Sequence, residues 1–272
     1  MTSQVPLRDL DAAPRRNRGD NAWSIAGDLA YLKLMMVNVV FYGHPREPDW
    51  VLVDTGLSIS ADEIMECAEK RFGSDTPPRA IILTHGHFDH VGSAKTLADR
   101  WDVPVYAHPD ELPYLDGSTS YPRADPWVGG GTLALISPLF PRGPVDLGAR
   151  LHTLPDDHSV PGMPGWQWIH TPGHAPGHVS LWREADKSLI AGDAFITTGQ
   201  ESAYDVATQE LEMHGPPRYF TPDWEAAEAS VQTLAKLNPE LVITGHGAPA
   251  KGPGMRTALK RLARDFREVA VP

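Results

Sequence analysis

Seven short apolar runs, several of them closing on an Asp or a His, punctuate this chain and leave it few ways to fold. They are WVLVDTG (Trp50 to Gly56), RAIILTH (Arg79 to His85), VPVYAH (Val103 to His108), WQWIHT (Trp166 to Thr171), HVSLW (His178 to Trp182), SLIAGD (Ser188 to Asp193) and ELVITGH (Glu240 to His246). Runs of this length, rich in β-branched and aromatic residues and bounded by turn formers, read as strands. Between them, Val91, Ala94, Leu97, Ala98 and Trp101 recur at helical spacing, as do Trp224, Ala227, Val231, Leu234 and Ala235. Thr221 reads as the N-cap of the second of these helices, with Pro222 at its first position and Asp223 and Glu225 in its first turn. A last helix turns Met255, Leu259, Leu262 and Phe266 inward. Strand-like and helix-like segments in alternation predict an α/β layered domain.

Residues 1–20 lack a sustained apolar pattern and are expected to be a loosely docked arm, with 21–272 forming one domain. Within it, about 109–165 is rich in Pro and Gly and reads as an insertion or cover. There Trp127, Leu133, Leu135, Ile136, Leu139 and Phe140 predict a short apolar helix, serving as a cover over an apolar ligand, as additional core or as a contact in a homodimer. A formal net charge of -11 argues against a sequence-independent grip on nucleic acid, which needs clustered Lys and Arg. No run approaches the ~20 apolar residues of a membrane-spanning helix, so no membrane partner is expected. A single cysteine, Cys67, cannot form an internal disulfide, and the expected location is the cytoplasm. Cys67 falls with Ile64, Ala68 and Phe72 on an amphipathic helix and reads as packing.

The segment LTHGHFDHVGS follows a strand, opens a helix and places His85, His87, Asp89 and His90 within six residues. Neutral imidazoles and carboxylates are ligands for zinc and other first-row metals. On a strand-to-helix turn His85 and His87 can point one way and Asp89 and His90 to a position beside them, which serves two metal ions. Neither a Gly-x-Ser-x-Gly elbow nor a phosphate-cradling Walker loop is present, so the metal site stands alone as the source of chemistry.

This turn resembles the metal-binding signature of the metallo-β-lactamase superfamily, and further motifs follow in order: VDTG at Val53 to Gly56, TPGHAPGH at Thr171 to His178, AGD at Ala191 to Asp193 and TGHG at Thr244 to Gly247. The resemblance implies a four-layer αββα sandwich, two mixed sheets flanked by helices. It implies that His85, His87 and His174 hold one divalent ion and Asp89, His90 and His246 a second, with Asp193 bridging and Asp54 hydrogen-bonding the ligand loop. The ions implied are zinc, with manganese or iron as alternatives. His178 matches a position that does not usually ligate and reads as structural. The implied reaction is hydrolysis, in which a metal-bridging hydroxide attacks an ester-type carbonyl and Asp89 or Asp193 passes the proton to the leaving group.

The stretch HTPGHAPGHVSLW is similar to that of N-acyl-homoserine-lactone lactonases and of hydroxyacylglutathione hydrolases. The expected substrate is a small molecule with an acyl or apolar part, first a lactone and second a glyoxalase-type thioester. A mononuclear iron sulfur dioxygenase is the alternative of another class. Such lactonases carry a Tyr three residues after the bridging Asp, where this chain has Ile196. Tyr204, Tyr121 and His214 are the candidates to supply that donor.

Overall fold

In the computed structural model, which describes residues 5–8, 15–16, 19–128, 131–201, 204, 208 and 210–272, the apolar runs pair into two large sheets and a two-stranded ribbon. In chain order the strands are β1 (Val5–Pro6), β2 (Arg15–Arg16), β3 (Trp23–Ser24), β4 (Leu29–Leu34), β5 (Val37–Tyr42), β6 (Val51–Val53), β7 (Ile81–Ile82), β8 (Val105–Ala107), β9 (Leu151–Thr153), β10 (Trp166–His170), β11 (Val179–Arg183), β12 (Ser188–Gly192), β13 (Glu212–Met213), β14 (Leu241–Thr244) and β15 (Ala250–Lys251). All seven runs singled out in the sequence contain a strand. The described residues pack into an amino-terminal unit, drawn from Pro14–Tyr121 and Arg142–Gln167, and a carboxy-terminal unit, drawn from Met1–Ala13, Pro122–Pro141 and Trp168–Pro272. Most of the expected arm at 1–20 lies outside the described residues; Val5–Pro6 pairs antiparallel with Glu212–Met213.

The sheet of the amino-terminal unit runs in simple order from β2 to β9. Its first part is an antiparallel meander, and from β6 onward neighbours are parallel. Parallel strands need crossovers, and the helices Ala61–Phe72 and Ala94–Trp101 supply those from β6 to β7 and from β7 to β8. Strands β6 and β7 are buried at every position, as unbroken apolar sequences covered by helices should be. Ile64, Cys67, Ala68 and Phe72 from one helix and Leu97 and Ala98 from the other meet Phe41, Leu52 and Ile81 in a single core. Trp50 lies flat on Phe72 at 4.4 Å and receives the edge of Trp101 at 5.5 Å. Burial raises the Cys67 thiol to about 12, in keeping with packing.

The carboxy-terminal unit is built on the sheet order β10-β11-β12-β14-β15. Strands β11 and β12 form an antiparallel pair, β12 and β14 run parallel with the helix Trp224–Lys236 between them in the chain, and β15 returns antiparallel. Leu189 and Val242 of the sheet, Val231 and Leu234 of that helix, and Met255, Leu259 and Leu262 of the helix Gly252–Arg264 share one core, joined by Phe266. The crossover helix is not capped by Thr221: Asp223 is its N-cap, with a carboxylate that accepts Ala226 N–H at 2.9 Å. The hydroxyl of Thr221 serves elsewhere, as described below.

The segment 109–165 is shared between the units, Pro122–Pro141 going with the carboxy-terminal one. The short helix expected there spans Thr132–Ile136, and Leu133 and Ala134 N–H donate to Glu201 O. Only Ala134 of that helix is buried, in a small cluster with Ala124, Val128 and Tyr219. Trp127 and Leu139 are more than four-fifths exposed (85% and 83%), so they add nothing to the core.

Candidate metal-ligand sets

In the amino-terminal unit the chain leaves β7, bends at Thr84 and enters the helical turn Phe88–Val91 from an extended His87, whose carbonyl accepts from His90 and Val91 N–H. His85, His87, Asp89 and His90 are all buried, and the His85 ring lies 4.7 Å from that of His87 and 4.2 Å from that of His90. One carboxylate organises the turn. Asp54, in the left-handed region at φ 60°, accepts Thr84 N–H at 2.8 Å through Oδ1, and through Oδ2 accepts Thr84 Oγ1 at 2.8 Å and His90 Nδ1 at 2.9 Å. Because Thr84 Oγ1 donates to Asp54, it accepts from His85 Nδ1, 3.1 Å away. Both imidazoles are thereby fixed with the proton on Nδ1, and Nε2 carries the lone pair a metal needs.

Gly86, between the first two histidines, donates its N–H to Glu111 Oε2 at 2.8 Å and to Tyr121 Oη at 3.0 Å. Burial, and after it the Glu111 charge, holds the Tyr121 phenol well above its usual range, so it remains a donor, and it donates to Glu111.

In the carboxy-terminal unit three strand ends contribute. His174 follows β10 in the TPGH turn, where Gly173 at φ 130° brings the backbone against the first turn of the crossover helix; a Cβ there would lie 2.4 Å from Ala227 N. Asp193 follows the register shift that ends β12, and His246 follows β14. Asp193 Oδ2 lies 3.5 Å from His174 Nε2 and 3.1 Å from His246 Nε2. Thr221 Oγ1 donates to Pro217 O at 2.7 Å, so it accepts from His174 Nδ1 at 3.1 Å and leaves His174 Nε2 as an acceptor. Two acceptors facing each other across this distance repel unless a cation lies between them. The paired acceptors of this unit therefore suit a cation, and in the amino-terminal unit His85 and His90 each keep an Nε2 that a cation can take.

His178 is no ligand, because both its nitrogens are committed. Nε2 accepts Asp193 N–H at 2.8 Å, and Nδ1 donates to Thr171 Oγ1 at 2.8 Å. The structural reading stands in a sharper form: His178 anchors the backbone of Asp193.

The three candidates for the donor absent at Ile196 fare differently. Tyr204 is exposed, and the Tyr121 hydroxyl is engaged by Glu111 and Gly86. His214, bridged to Ile196, is buried with Nε2 3.2 Å from Glu201 and Nδ1 donating to Gly215 O at 2.9 Å. Arg218 completes this group, its N–H donating to Glu201 Oε1 and its guanidinium to Val269 O and Ala270 O. Glu111, Glu201 and Arg218 escape a reading of the sequence because each stands alone, outside any spacing pattern.

Comparison with known proteins adds a lineage. The family described as Metallo-beta-lactamase superfamily matches residues 32–246. The chain is 48% identical over 239 residues to Probable metallo-hydrolase YflN of Bacillus subtilis (strain 168), covering 88% of this chain and 90% of that protein. It is 27% identical to a Hydroxyacylglutathione hydrolase of Bdellovibrio bacteriovorus, over 60% of this chain and 47% of that one. Among solved structures, TTHA1623 in a di-iron-bound form superposes with a TM-score of 0.54 at 27% identity, covering 86% of this chain and 96% of its own. The subclass B3 metallo-beta-lactamase MEM-A1 superposes at 0.62 with 19% identity, covering 95% and 96%, a likeness of fold alone. Mixed sheets flanked by helices, as in these neighbours, bear out the expected fold class.

Proposed function

The chain belongs to the metallo-beta-lactamase superfamily, and from that premise we propose that it is a dinuclear metal-dependent hydrolase acting on a lactone with an apolar acyl part. His85, His87 and His174 hold one divalent ion, Asp89, His90 and His246 hold the other, and Asp193 is shared. The observation that carries this reading is Asp193 Oδ2, set 3.1 and 3.5 Å from two imidazole Nε2 atoms, one of them fixed as an acceptor by Thr221. Zinc suits a set of histidines and carboxylates, and the di-iron form of TTHA1623 makes iron the first alternative.

When bound, the pair of cations supplies an acidified water and an electrophile for the carbonyl oxygen. The chain's own work is positioning and proton transfer. Asp54 holds two imidazoles in one tautomer, Thr221 holds a third, and His178 holds the backbone of Asp193. The carboxylate of Asp89 or of Asp193 takes the proton released as water adds to the carbonyl carbon. The same carboxylate returns it to the ring oxygen as the ester C–O bond breaks, so that a lactone leaves as one hydroxy acid. The exposed side chains of Trp127, Leu135 and Leu139 favour an apolar acyl group. A thioester is the second reading, favoured by the hydroxyacylglutathione hydrolase relative. Among the described residues no helix is long and apolar enough to cross a membrane, and the lone buried Cys67 suits the cytoplasm.

Metal analysis of purified protein, joined to hydrolysis assays on a lactone, a thioester and a β-lactam before and after chelation, tests the reading. About two zinc ions per chain with chelator-sensitive lactone turnover is the expected result. One iron with oxygen consumption overturns it in favour of a dioxygenase.

A further inference from the structure

The peptide between His85 and His87 is gripped from outside the loop. Gly86 N–H is shared between a fully buried carboxylate, Glu111, and the hydroxyl of a buried tyrosine, Tyr121, which itself donates to that carboxylate. The tyrosine is held in turn: its ring is stacked on Tyr114 at 3.9 Å and stands edge-on to His87 at 4.5 Å, and its backbone exchanges hydrogen bonds with Arg142. The fit leaves no space for a side chain on the loop. A Cβ at Gly86 would lie 2.9 Å from Tyr121 Oη, 3.1 Å from Leu115 Cδ2 and 3.3 Å from Glu111 Oε2. Burying a carboxylate is costly, and an apolar residue of the same shape would hold the surrounding core as well. What the apolar residue cannot do is fix the orientation of a peptide N–H. That peptide joins His85 to Gly86, with His87 one residue further on, so its rotation swings the His85 ring directly and shifts His87 through Gly86.

We propose that Glu111 and Tyr121 are positioning residues that lock the Gly86 peptide and so aim His85 and His87 at a common cation, an inference that rests on the metal-ligand reading of these two histidines. Groups that orient metal ligands commonly change affinity by about 10–100-fold when removed.

The test is a competition titration of zinc against a chromophoric chelator on the full chain, stripped of metal beforehand, with thermal melting of the metal-free protein alongside. Tyr121→Phe keeps both ring contacts and loses only the hydroxyl; Glu111→Gln keeps the shape and one acceptor, and Glu111→Ala removes both. The expected result is wild-type uptake of two zinc ions, and in Tyr121→Phe and Glu111→Ala a loss of about 10–100-fold for one ion with the other within about threefold. Glu111→Gln should recover part of the loss. If folded Tyr121→Phe and Glu111→Gln bind both ions as tightly as wild type, or weaken both ions equally along with a lower melting temperature, the positioning role is overturned while the metal reading stands. Should wild-type protein itself bind no zinc or iron, the metal reading falls and the positioning role falls with it.

Discussion

The amino-terminal unit gathers four ligand-type side chains on one turn, His85 to His90, whereas the carboxy-terminal unit gathers three from the ends of three strands, His174, Asp193 and His246. The compact set hangs on few anchors: the Asp54 carboxylate reaches His90 directly and His85 through Thr84. The dispersed set has a separate anchor for each of two members, Thr221 for His174 and His178 for Asp193. A turn can be spoiled at one point, but a sheet edge has to be spoiled member by member. The contrast predicts where single substitutions act broadly and where they act narrowly.

The largest effect is expected at the place where the contrast should fail. Asp193→Ala removes the atom that faces both His174 and His246, so both ions should weaken together and turnover should drop on the order of 10³-fold. Metal content and kcat on the substrate that turns over fastest measure it, and loss of only one ion would end the shared role of Asp193.

Next comes the buried ion pair of the carboxy-terminal unit. Glu201→Gln should cost about 3 kcal/mol in urea unfolding, because His214 loses its counter-charge in a dry site. Burial alone would raise the Glu201 carboxyl, but the His214 charge and hydrogen bond, followed by Arg218, outweigh it and hold it down to about 2. Burial would likewise lower His214, and Glu201 outweighs that, raising the imidazole above its ordinary 6.5. The carboxylate's contribution is complete above its ordinary 4.5 and fades as pH falls toward 2, while the imidazole's is complete below 6.5 and fades as pH rises through its raised value. Wild-type stability should therefore decline as pH rises above 6.5 more steeply than that of Glu201→Gln, and parallel curves would dismiss the pair as a source of pH dependence.

The direct contrast between the two anchoring schemes is smaller. Asp54→Asn should weaken zinc binding about 10–100-fold through the amino-terminal set, and Thr221→Val, which frees one histidine only, should fall at the lower edge of that range. Equal losses in the chelator titration would erase the distinction. Smallest of all, Trp127→Ala should change stability by no more than about 0.5 kcal/mol, since the side chain is 85% exposed. It should raise KM for long-chain acyl lactones and leave short-chain ones alone; the same KM for both would take Trp127 out of substrate binding.

What could be read in advance follows the same division. The seven apolar runs and the two crossover helices are legible because burial under a sheet imposes a period on neighbouring residues, and the turn at His85 is legible because its candidate ligands are neighbours. The hairpin β4–β5, buried at nearly every position, lacks the alternation that marks a half-exposed strand. Thr221 shows how a local rule loses to a tertiary one: followed by Pro and acidic residues it has the pattern of an N-cap, yet the helix starts later and its hydroxyl fixes a histidine 47 residues away. Glu111 and Glu201 left no trace in the sequence because a buried carboxylate is recognised by what surrounds it, and the surroundings come from distant segments.

Arg218 carries a lesson about timing. Its guanidinium finds its acceptors at Val269 and Ala270, 51 and 52 residues further on, and its own N–H steadies Glu201. A nascent chain emerging in order cannot close this region until those later residues are available, so Arg218 and Glu201 are expected to settle only once Val269 and Ala270 have left the ribosome. A ribosome stalled short of Val269 would leave the Glu201–Arg218 corner of that unit unfinished.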